Sequence, residues 1–304
     1  MRNITLQSKV VVLLIFLALI WGSSFILMKK GLMAFSPLEV GSIRITVAAL
    51  CFLPFVIRDF AKISRKNGIM MALLGFVGNG IPAFLFPLAE TKINSATAGM
   101  LNSLTPMFAL LLGVLAFDVA FSWKKTAGIV IGFCGALLLM LSSERGNAHE
   151  TQESLGVIVY YSSFIVLGTL LYGLNVNLMK KYLNEVHPLQ VTTFSLFAIG
   201  IPYGIYLLFF SQIPEKIATH PEGLSSLMFI SILGIGSTAI SNVLFYRLVQ
   251  WTDAVVSSSV TYLMPIVALG WGIYFHENIN LWQVLGMCII LGGVYLVNKK
   301  EENL

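Results

Sequence analysis

The chain has 304 residues, of which 57% are apolar and only 11% are charged. A soluble domain usually carries about 25% charged residues, so this composition excludes an ordinary soluble enzyme or binding domain. The mean hydropathy is +0.85 and the formal net charge is +5. In so apolar a chain the basic excess is expected to mark membrane orientation, with no nucleic-acid partner. The composition predicts an integral membrane protein.

The chain divides into ten apolar runs separated by short polar breaks. Each run has about 20 residues, enough to cross a hydrocarbon layer about 30 Å thick as a helix. The basic start and the first apolar run could imitate a signal peptide. The run continues without a break into the first repeat unit, so we expect it to be retained as the first helix. The predicted spans are 10–33, 37–57, 68–89, 95–117, 123–142, 155–179, 188–210, 224–249, 254–275 and 280–298. The predicted fold class is all-α integral membrane, with ten transmembrane helices.

An internal repeat divides the chain into two halves. The segment WGSSFILMKKGLMAFSPL at 21–38 returns as YGLNVNLMKKYLNEVHPL at 172–189. A second pattern, LF-x19-P-x6-G-x9-W, begins at Leu85 and again at Leu244. We therefore predict two five-helix units at 1–145 and 154–300, joined by a hydrophilic linker at 146–153.

The basic residues indicate how the helices are oriented. If the spans cross alternately, most Lys and Arg residues fall on one side, within 2–9, 58–66, 124–125, 180–181 and 299–300. Basic loops mark the cytoplasmic side, so both termini are predicted to be cytoplasmic in a multi-pass protein of the cell inner (plasma) membrane. Because each unit has an odd number of spans, the units form inverted repeats. Such repeats can exchange inward-open and outward-open states, which is alternating access.

Polar and aromatic side chains at equivalent positions are candidates for a substrate site. In the first span of each unit, Trp21 corresponds to Tyr172 and Ser24 to Asn175, each pair three residues apart on one helix face. Polar groups there either line a cavity or join helices within the lipid, and both interpretations stay open. The predicted substrate-binding set is Trp21, Ser24, Arg44, Asn79, Asn102, Tyr172, Asn175, Ser258 and Tyr262.

Helix-breaking residues also recur in both halves. Pro106 and Pro265 fall in the middle of equivalent spans, and Gly78 and Gly234 fall in the preceding spans. A proline inside a helix frees a carbonyl group, and paired broken helices often mark a transporter's binding site. A packing kink without a binding role is the alternative.

Few ionisable residues are predicted at membrane depth. Arg44 lies inside the second span, where charge is costly and function is the default interpretation, although contact with carbonyls or Glu39 near the outer interface is an alternative. Its counterpart, Ser195, is uncharged. Glu90 and Arg247 are expected at interfaces. No acid is therefore predicted to carry protons at depth.

The fifth and tenth spans share two features. Asp118 and Glu277 precede them, where an acid is expected to cap the following helix. Small residues on one face of each span are expected to allow close helix contact, as packing within the monomer, with a dimer seam as the alternative. They are Gly128, Gly132, Gly135, Gly286 and Gly293.

The sequence lacks the usual motifs of enzymes and ATP-driven pumps. It has no phosphate-binding loop with its lysine, no HExxH and no CxxC. We therefore predict no enzyme activity, catalytic residue, metal or cofactor. An intramembrane enzyme, the weaker alternative, would need a polar catalytic cluster assembled from distant spans.

Several short motifs resemble the EamA family of the drug/metabolite transporter superfamily. They are WGSSF at 21–25, Pro37 with Arg44, LTPMFALLLG at 104–113 and W-x4-G-x3-G-x2-G at 123–135. The resemblance covers essentially the whole chain. It implies a ten-helix, inverted-repeat carrier of the inner membrane with a central cavity, commonly an exporter of amino acids or other small metabolites.

The predicted function is alternating-access transport of a small metabolite, such as an amino acid or related solute, in the export direction. The expected partners are this solute and membrane lipids, and the sequence does not predict an oligomeric state. A lipid-linked flippase or a multidrug-type exporter is the alternative.

Overall fold

The structure is a computed structural model that describes residues 2–60, 63–120, 122–143 and 154–298. Within these ranges every regular element is helical and there is no strand. Of the helices in the described ranges, eight are long and apolar enough to cross a membrane, or nine if Pro37–Cys51 and Leu53–Asp59, bent by 52°, form one span. Leu281–Val297 is a shorter apolar helix. The predicted linker at 146–153 lies outside the described residues.

The helices follow the order of the predicted spans, each of which overlaps one helix or a broken series. The first half contains α1 (Arg2–Gly31), α2 (Pro37–Cys51), α3 (Leu53–Asp59), α4 (Arg65–Gly75), α5 (Pro82–Glu90), α6 (Ser95–Leu101), α7 (Thr105–Ala116) and α8 (Trp123–Ser143). The second half contains α9 (Leu155–Tyr182), α10 (Pro188–Phe209), α11 (Ile213–Thr219), α12 (Gly223–Ile232), α13 (Ser241–Trp251), α14 (Ala254–Ser258), α15 (Met264–Tyr274) and α16 (Leu281–Asn298).

Helices α2 and α10 begin at equivalent prolines, Pro37 and Pro188. Proline suits the first helical position because its missing N–H would have no partner there. Before α2, Ser36 and Glu39 form a capping box in which the Glu39 carboxylate accepts from the Ser36 backbone N–H at 2.8 Å. Matching start signals therefore place the second span of each half in the same way.

Breaks in the helices occur at equivalent places in the two halves, as predicted. A π-helical segment, Phe76–Gly80, joins α4 to α5, and another, Leu233–Ile240, joins α12 to α13. Short 3-10 segments, Asn102–Leu104 and Ser259–Tyr262, precede the helices that contain Pro106 and Pro265. Proline cannot supply the next helical N–H, which accounts for the interruption before it. These four segments bring polar side chains to the centre of the molecule.

The two halves interleave. Helix α1 packs against α12, α13 and α15, while α9 packs against α5 and α7, and α2 packs against α10. Two small residues make equivalent close approaches possible: Gly75 faces the Ser195 carbonyl, and Gly234 faces the Arg44 carbonyl. The largest buried apolar cluster consequently draws residues from both halves.

Helices α8 and α16 pack closely against each other through their glycines, so the close contact predicted for these small residues lies within the monomer. A methyl carbon on Gly293 would lie 2.5 Å from the Gly128 carbonyl oxygen, and one on Gly135 would lie 2.7 Å from the Ile290 backbone nitrogen. Both distances are too short for carbon atoms, so only glycine lets the backbones approach this far.

The expected capping role of Glu277 was wrong. Asn280 caps α16 instead, since its side-chain oxygen accepts from the Gln283 backbone N–H at 2.9 Å. Glu277 lies nearer the start of α6, where its carboxylate accepts from the backbone N–H groups of Ser95 and Ala96, both at 2.9 Å. The acid thus links the second half to the first.

Candidate substrate-binding site

A cavity of about 80 Å³ lies at the interface of the two halves. One water molecule needs roughly 10–15 Å³ by a comparable measure, so the cavity has room for several small polar groups. Eight of the nine predicted site residues line it: Trp21, Ser24, Arg44, Asn79, Asn102, Tyr172, Asn175 and Ser258.

Tyr262 is not among the residues that line the cavity. It is half-buried and packs against the main apolar cluster. In the repeat, Asn102 corresponds to Thr261, and it is Thr261 that lines the cavity. The 3-10 segment Ser259–Tyr262 therefore directs the neighbouring residue inward.

Two aromatic pairs flank the cavity at equivalent positions. Trp21 packs edge to face on Phe245 with ring centroids 5.0 Å apart, and Tyr172 stacks on Phe86 at 5.6 Å. In each pair, the first helix of one half contacts the third span of the other half. The Trp21 indole N–H also donates to the Ser237 carbonyl at 2.8 Å. The cavity therefore has aromatic surfaces of similar construction on both sides.

Ser24 and Asn175 are equivalent in the repeat but make different contacts. Ser24 donates to the Ser237 hydroxyl at 2.8 Å. Its counterpart, Asn175, donates to the Leu74 carbonyl at 3.0 Å and packs against Gly78, which corresponds to Ser237. A larger side chain in one partner is thus matched by glycine in the other. Both residues join helices and also border the cavity.

A buried amide pair connects the two π-helical spans. The Asn242 amide donates to the Asn79 side-chain oxygen at 2.7 Å, and Asn79 is 7% exposed. The hydroxyl of Tyr246 interacts with Asn79 and Asn175. This network satisfies polar groups that would otherwise be unpaired at membrane depth.

Arg44 brings a positive charge to the cavity. The residue is 8% exposed, and its Nε donates to the Thr238 hydroxyl at 2.7 Å. The guanidinium also interacts with the Tyr172 hydroxyl. The suggested contact with Glu39 is absent because Glu39 instead pairs with Lys216 at 2.6 Å. Among the described residues, no carboxylate forms an ion pair with Arg44.

Asn102 presents an unused acceptor. Its amide nitrogen donates to the Met264 sulfur at 3.6 Å, whereas its side-chain oxygen has no hydrogen-bond partner within the described chain. The residue is only 2% exposed. A buried polar atom without a partner costs roughly 1–3 kcal/mol, so this oxygen is suited to a ligand's donor group.

Comparison with known proteins identifies the family. The model of the EamA-like transporter family matches residues 8–141 and 160–299. The chain belongs to this family. A solved crystal structure shares the fold with a TM-score of 0.67 over 96% of each chain, at 14% identity.

Relatives of this EamA-like protein are named as transporters. An uncharacterized transporter of Archaeoglobus fulgidus is 25% identical over 92% of this chain and 95% of its own length. An S-adenosylmethionine/S-adenosylhomocysteine transporter of Chlamydia muridarum is 24% identical, with 88% and 85% covered. A probable terminal-alkyne amino-acid exporter of Streptantibioticus cattleyicolor is 24% identical, with 96% and 94% covered. The family and these relatives indicate a multi-pass membrane transporter of small molecules, not an enzyme.

Several residues of the site were not predicted. Phe86 and Phe245 are identical partners in the repeat, so the alignment of the halves contained a signal for them. Ser237 had no comparable signal because its partner, Gly78, has no side chain. Within the described ranges, no group of three or more His, Cys, Asp or Glu residues could hold a metal.

Glu90 is the last residue of α5, at a span end as predicted, and Arg247 lies in the last two turns of α13. Arg247 is exposed, but Glu90 is fully buried at 0% exposure. Neither carboxylate oxygen of Glu90 has a hydrogen-bond partner in the part of the chain that the structure describes. An acid is therefore enclosed at the end of α5.

Proposed function

We propose that this EamA-like protein exports a small zwitterionic solute, an amino acid or a related metabolite, across the cell (plasma) membrane by alternating access. The observation that carries the proposal is the buried guanidinium of Arg44, which lines the central cavity without a carboxylate partner among the described residues. The proposed substrate contacts are the eight predicted residues that line the cavity.

Arg44 selects the acidic end of the solute. A buried charge is costly unless it is paired and hydrogen-bonded. One hydroxyl already accepts from Nε, and the guanidinium carries further N–H groups. A guanidinium binds a carboxylate through two parallel, charge-assisted hydrogen bonds. A carboxylate of the solute would therefore supply the missing countercharge.

The opposite charge of the solute also has a suitable environment. The unpaired Asn102 oxygen accepts from an ammonium group. Trp21, Tyr172 and Phe245 offer aromatic surfaces, which attract cations and cover apolar groups. The cavity thus suits a zwitterion with an apolar portion.

The names of the relatives support this class of solute. S-adenosylmethionine, S-adenosylhomocysteine and terminal-alkyne amino acids, named for two relatives, each carry an α-amino and a carboxylate group. The relative from Streptantibioticus cattleyicolor is named as an exporter, which supports the direction.

The proposed architecture consists of ten helices in two inverted units, 1–145 and 154–300, with both termini cytoplasmic. The equivalent aromatic pairs and the equivalent helix breaks support a duplicated unit. A cavity between such units can open to either side by movement of one against the other. The lipid-linked flippase and multidrug alternatives have no specific observation in their favour.

Exchange in proteoliposomes tests the proposal. Purified protein is reconstituted into vesicles that contain an unlabelled proteinogenic L-amino acid, and entry of the same amino acid in labelled form is measured. The measurement is repeated for every proteinogenic L-amino acid. S-adenosylhomocysteine is included as a larger zwitterion. We expect exchange of at least one compound, and we expect its decarboxylated amine to be a poor substrate.

Arg44→Gln should reduce this exchange at least tenfold, because the countercharge of the solute's carboxylate is lost. A tenfold loss of affinity corresponds to about 1.4 kcal/mol of binding free energy. Arg247→Gln is the matched control because Arg247 is exposed and bonds only weakly to Gln250, at 3.4 Å. Equal transport of an amino acid and its decarboxylated amine would contradict the proposal, and so would the absence of exchange with every compound.

A further inference from the structure

We propose that Thr238 is a positioning residue for the substrate's carboxylate: its hydroxyl holds Arg44 so that the terminal nitrogens Nη1 and Nη2 are the atoms available to the solute. This inference rests on the proposed transport function and deepens it, because it assigns the geometry of binding to a residue that is not among those lining the cavity. It depends on one short hydrogen bond, on the burial of both partners and on a difference between the two halves.

Thr238 contacts Arg44 directly. The Arg44 Nε donates to the Thr238 hydroxyl oxygen at 2.7 Å. Thr238 is fully buried at 0% exposure and Arg44 is 8% exposed, so bulk water does not compete for this contact. A charge-assisted hydrogen bond is stronger than one between neutral groups, and burial strengthens it further. Thr238 therefore fixes the orientation of the guanidinium plane without touching the solute.

The hydrogen bond restricts how the guanidinium can bind a carboxylate. A guanidinium offers two forks, one formed by Nε with a terminal nitrogen and the other by both terminal nitrogens. Thr238 occupies the single N–H group of Nε, so the second fork remains. Nη1 makes a long contact with the Met28 sulfur at 3.9 Å, and sulfur is a weak acceptor. The carboxylate thus binds end-on, with one oxygen on each terminal nitrogen.

The backbone brings the two residues together where α2 meets the π-helical segment Leu233–Ile240. A methyl carbon on Gly234 would lie 2.9 Å from the Arg44 carbonyl oxygen, so glycine permits this approach. Thr238 follows Gly234 by four residues, about one turn of the segment, and therefore also lies near α2. The glycine and the threonine act together to place a hydroxyl beside the buried charge.

The other half lacks this contact although its backbone is arranged in the same way. The carbonyl of Ser195, the counterpart of Arg44, is also approached by a glycine. The Ser195 hydroxyl has no hydrogen-bond partner within the described chain. Asn79, the counterpart of Thr238, instead accepts from Asn242 at 2.7 Å. The duplicated unit therefore provides one carboxylate site, and the solute binds with its acidic end toward α2.

Competition in the exchange assay tests the role of Thr238. For the amino acid that exchanges, we measure the concentrations of this compound and of its decarboxylated amine that halve the exchange rate. Thr238→Val keeps the shape of the side chain and removes the hydroxyl. Inhibition by the amino acid should weaken about tenfold, the effect of one lost charge-assisted hydrogen bond. Inhibition by the amine and the maximal exchange rate should stay within about twofold, because the hydroxyl acts on carboxylate binding alone.

Two further variants control for the substitution itself. Thr238→Ser keeps the hydroxyl and should be inhibited like the wild type. Thr169→Val is the matched control, since Thr169 is also 0% exposed and its hydroxyl donates to the Val166 carbonyl of its own helix at 2.7 Å. It should also behave like the wild type. Equal weakening in Thr238→Val and Thr238→Ser would overturn the inference, because the hydroxyl would not be the cause.

The outcomes separate the two proposals. Unchanged inhibition in Thr238→Val, together with weaker inhibition in Arg44→Gln, would overturn the role of Thr238 and leave the transport function in place. Tighter binding in Thr238→Val would show that the hydroxyl competes with the solute for Nε and would also overturn it. An equal loss for the amino acid and the amine would have the same meaning. The absence of all exchange in the wild type would reject the transport function itself.

A spectroscopic measurement on the wild type covers the case in which Thr238→Val does not fold. In NMR spectra of protein labelled at the arginine nitrogens, the Arg44 signals are those missing from Arg44→Gln. With Nε held by Thr238, saturating substrate should leave the Nε signal in place and shift the signals of the terminal nitrogens. A shift of the Nε signal as large as that of the terminal nitrogens would overturn the inference.

Discussion

Lys29 and Lys180 make the same contact in opposite halves of the protein. Lys29 donates to the Glu90 carbonyl at 2.8 Å, and Lys180 donates to the Val249 carbonyl at 3.0 Å. Each lysine lies in the last turn of the first helix of its half. Its ammonium group donates to carbonyl groups at the C-terminal end of the third span. Those carbonyls have no partner within their own helix, so the lysines cap α5 and α13.

The cap predicts a loss of stability in Lys180→Met. Lys180 also contacts the Thr252 carbonyl, so the substitution removes two charge-assisted hydrogen bonds at a half-buried site. We expect the free energy of unfolding in detergent to fall by about 1.5–3 kcal/mol. Its neighbour Lys181 forms a solvent-exposed pair with Asp118 at 3.2 Å, so Lys181→Met should cost less than about 1 kcal/mol. Equal losses in the two variants would show that the cap contributes nothing.

The contact between α8 and α16 predicts opposite results for adjacent glycines. In Gly293→Ala, the new methyl group would lie 2.5 Å from the Gly128 carbonyl oxygen and 2.6 Å from the Gly132 nitrogen. Backbone atoms cannot move aside as side chains do, so we expect a loss of about 1–3 kcal/mol. Gly292 has no atom within 4 Å of the corresponding position, and Gly292→Ala should be neutral or slightly stabilising.

Thermal unfolding of the two purified glycine variants in one detergent measures the difference. The two substitutions have the same composition and the same helix propensity, so only the local contact distinguishes them. If Gly293→Ala unfolds at the wild-type temperature, the close approach of the helices is not required.

The repeat located most of the site because duplication leaves a visible trace in the sequence. Trp21 and Tyr172 were found by alignment, and both line the cavity. The enclosure of Glu90 left no such trace, since the groups around it come from distant parts of the chain. Hydropathy places a residue near the end of a helix, but it does not show which other helix covers that end. The contact of Glu277 with α6 was missed for the same reason.

Asn102 and Asn175 separate substrate binding from helix packing. The Asn102 oxygen has no protein partner, so Asn102→Leu should keep the protein's stability while lowering exchange about tenfold, the equivalent of one lost hydrogen bond to the solute. Asn175 donates to the Leu74 carbonyl, and Asn175→Leu should lower the free energy of unfolding by about 1–3 kcal/mol.

Exchange rates and unfolding curves of the two asparagine variants provide the measurement, with each protein serving as the other's control. Unfolding of Asn102→Leu at a lower temperature than Asn175→Leu would reverse the assignment, because Asn102 would then be the structural residue.

Glu277 and Asp118 are equivalent in the repeat but differ in their contacts. Glu277 accepts from the Ser95 hydroxyl at 2.6 Å as well as from two backbone N–H groups at the start of α6. Glutamine keeps the size of the side chain but replaces one acceptor oxygen with an NH2 group, which would face a backbone N–H. We therefore expect Glu277→Gln to lower the free energy of unfolding by about 1–3 kcal/mol.

Asp118→Asn is the matched control for this change of charge. The Asp118 side chain is 90% exposed, and its pair with Lys181 is open to solvent, so its loss should cost less than about 1 kcal/mol. Thermal unfolding in one detergent compares the two variants. Because Glu277 joins the halves at α6, its substitution should also loosen their contact there, which hydrogen exchange of the Ser95 and Ala96 amides would report. If those amides exchange at the wild-type rate in Glu277→Gln, the carboxylate does not hold the start of α6.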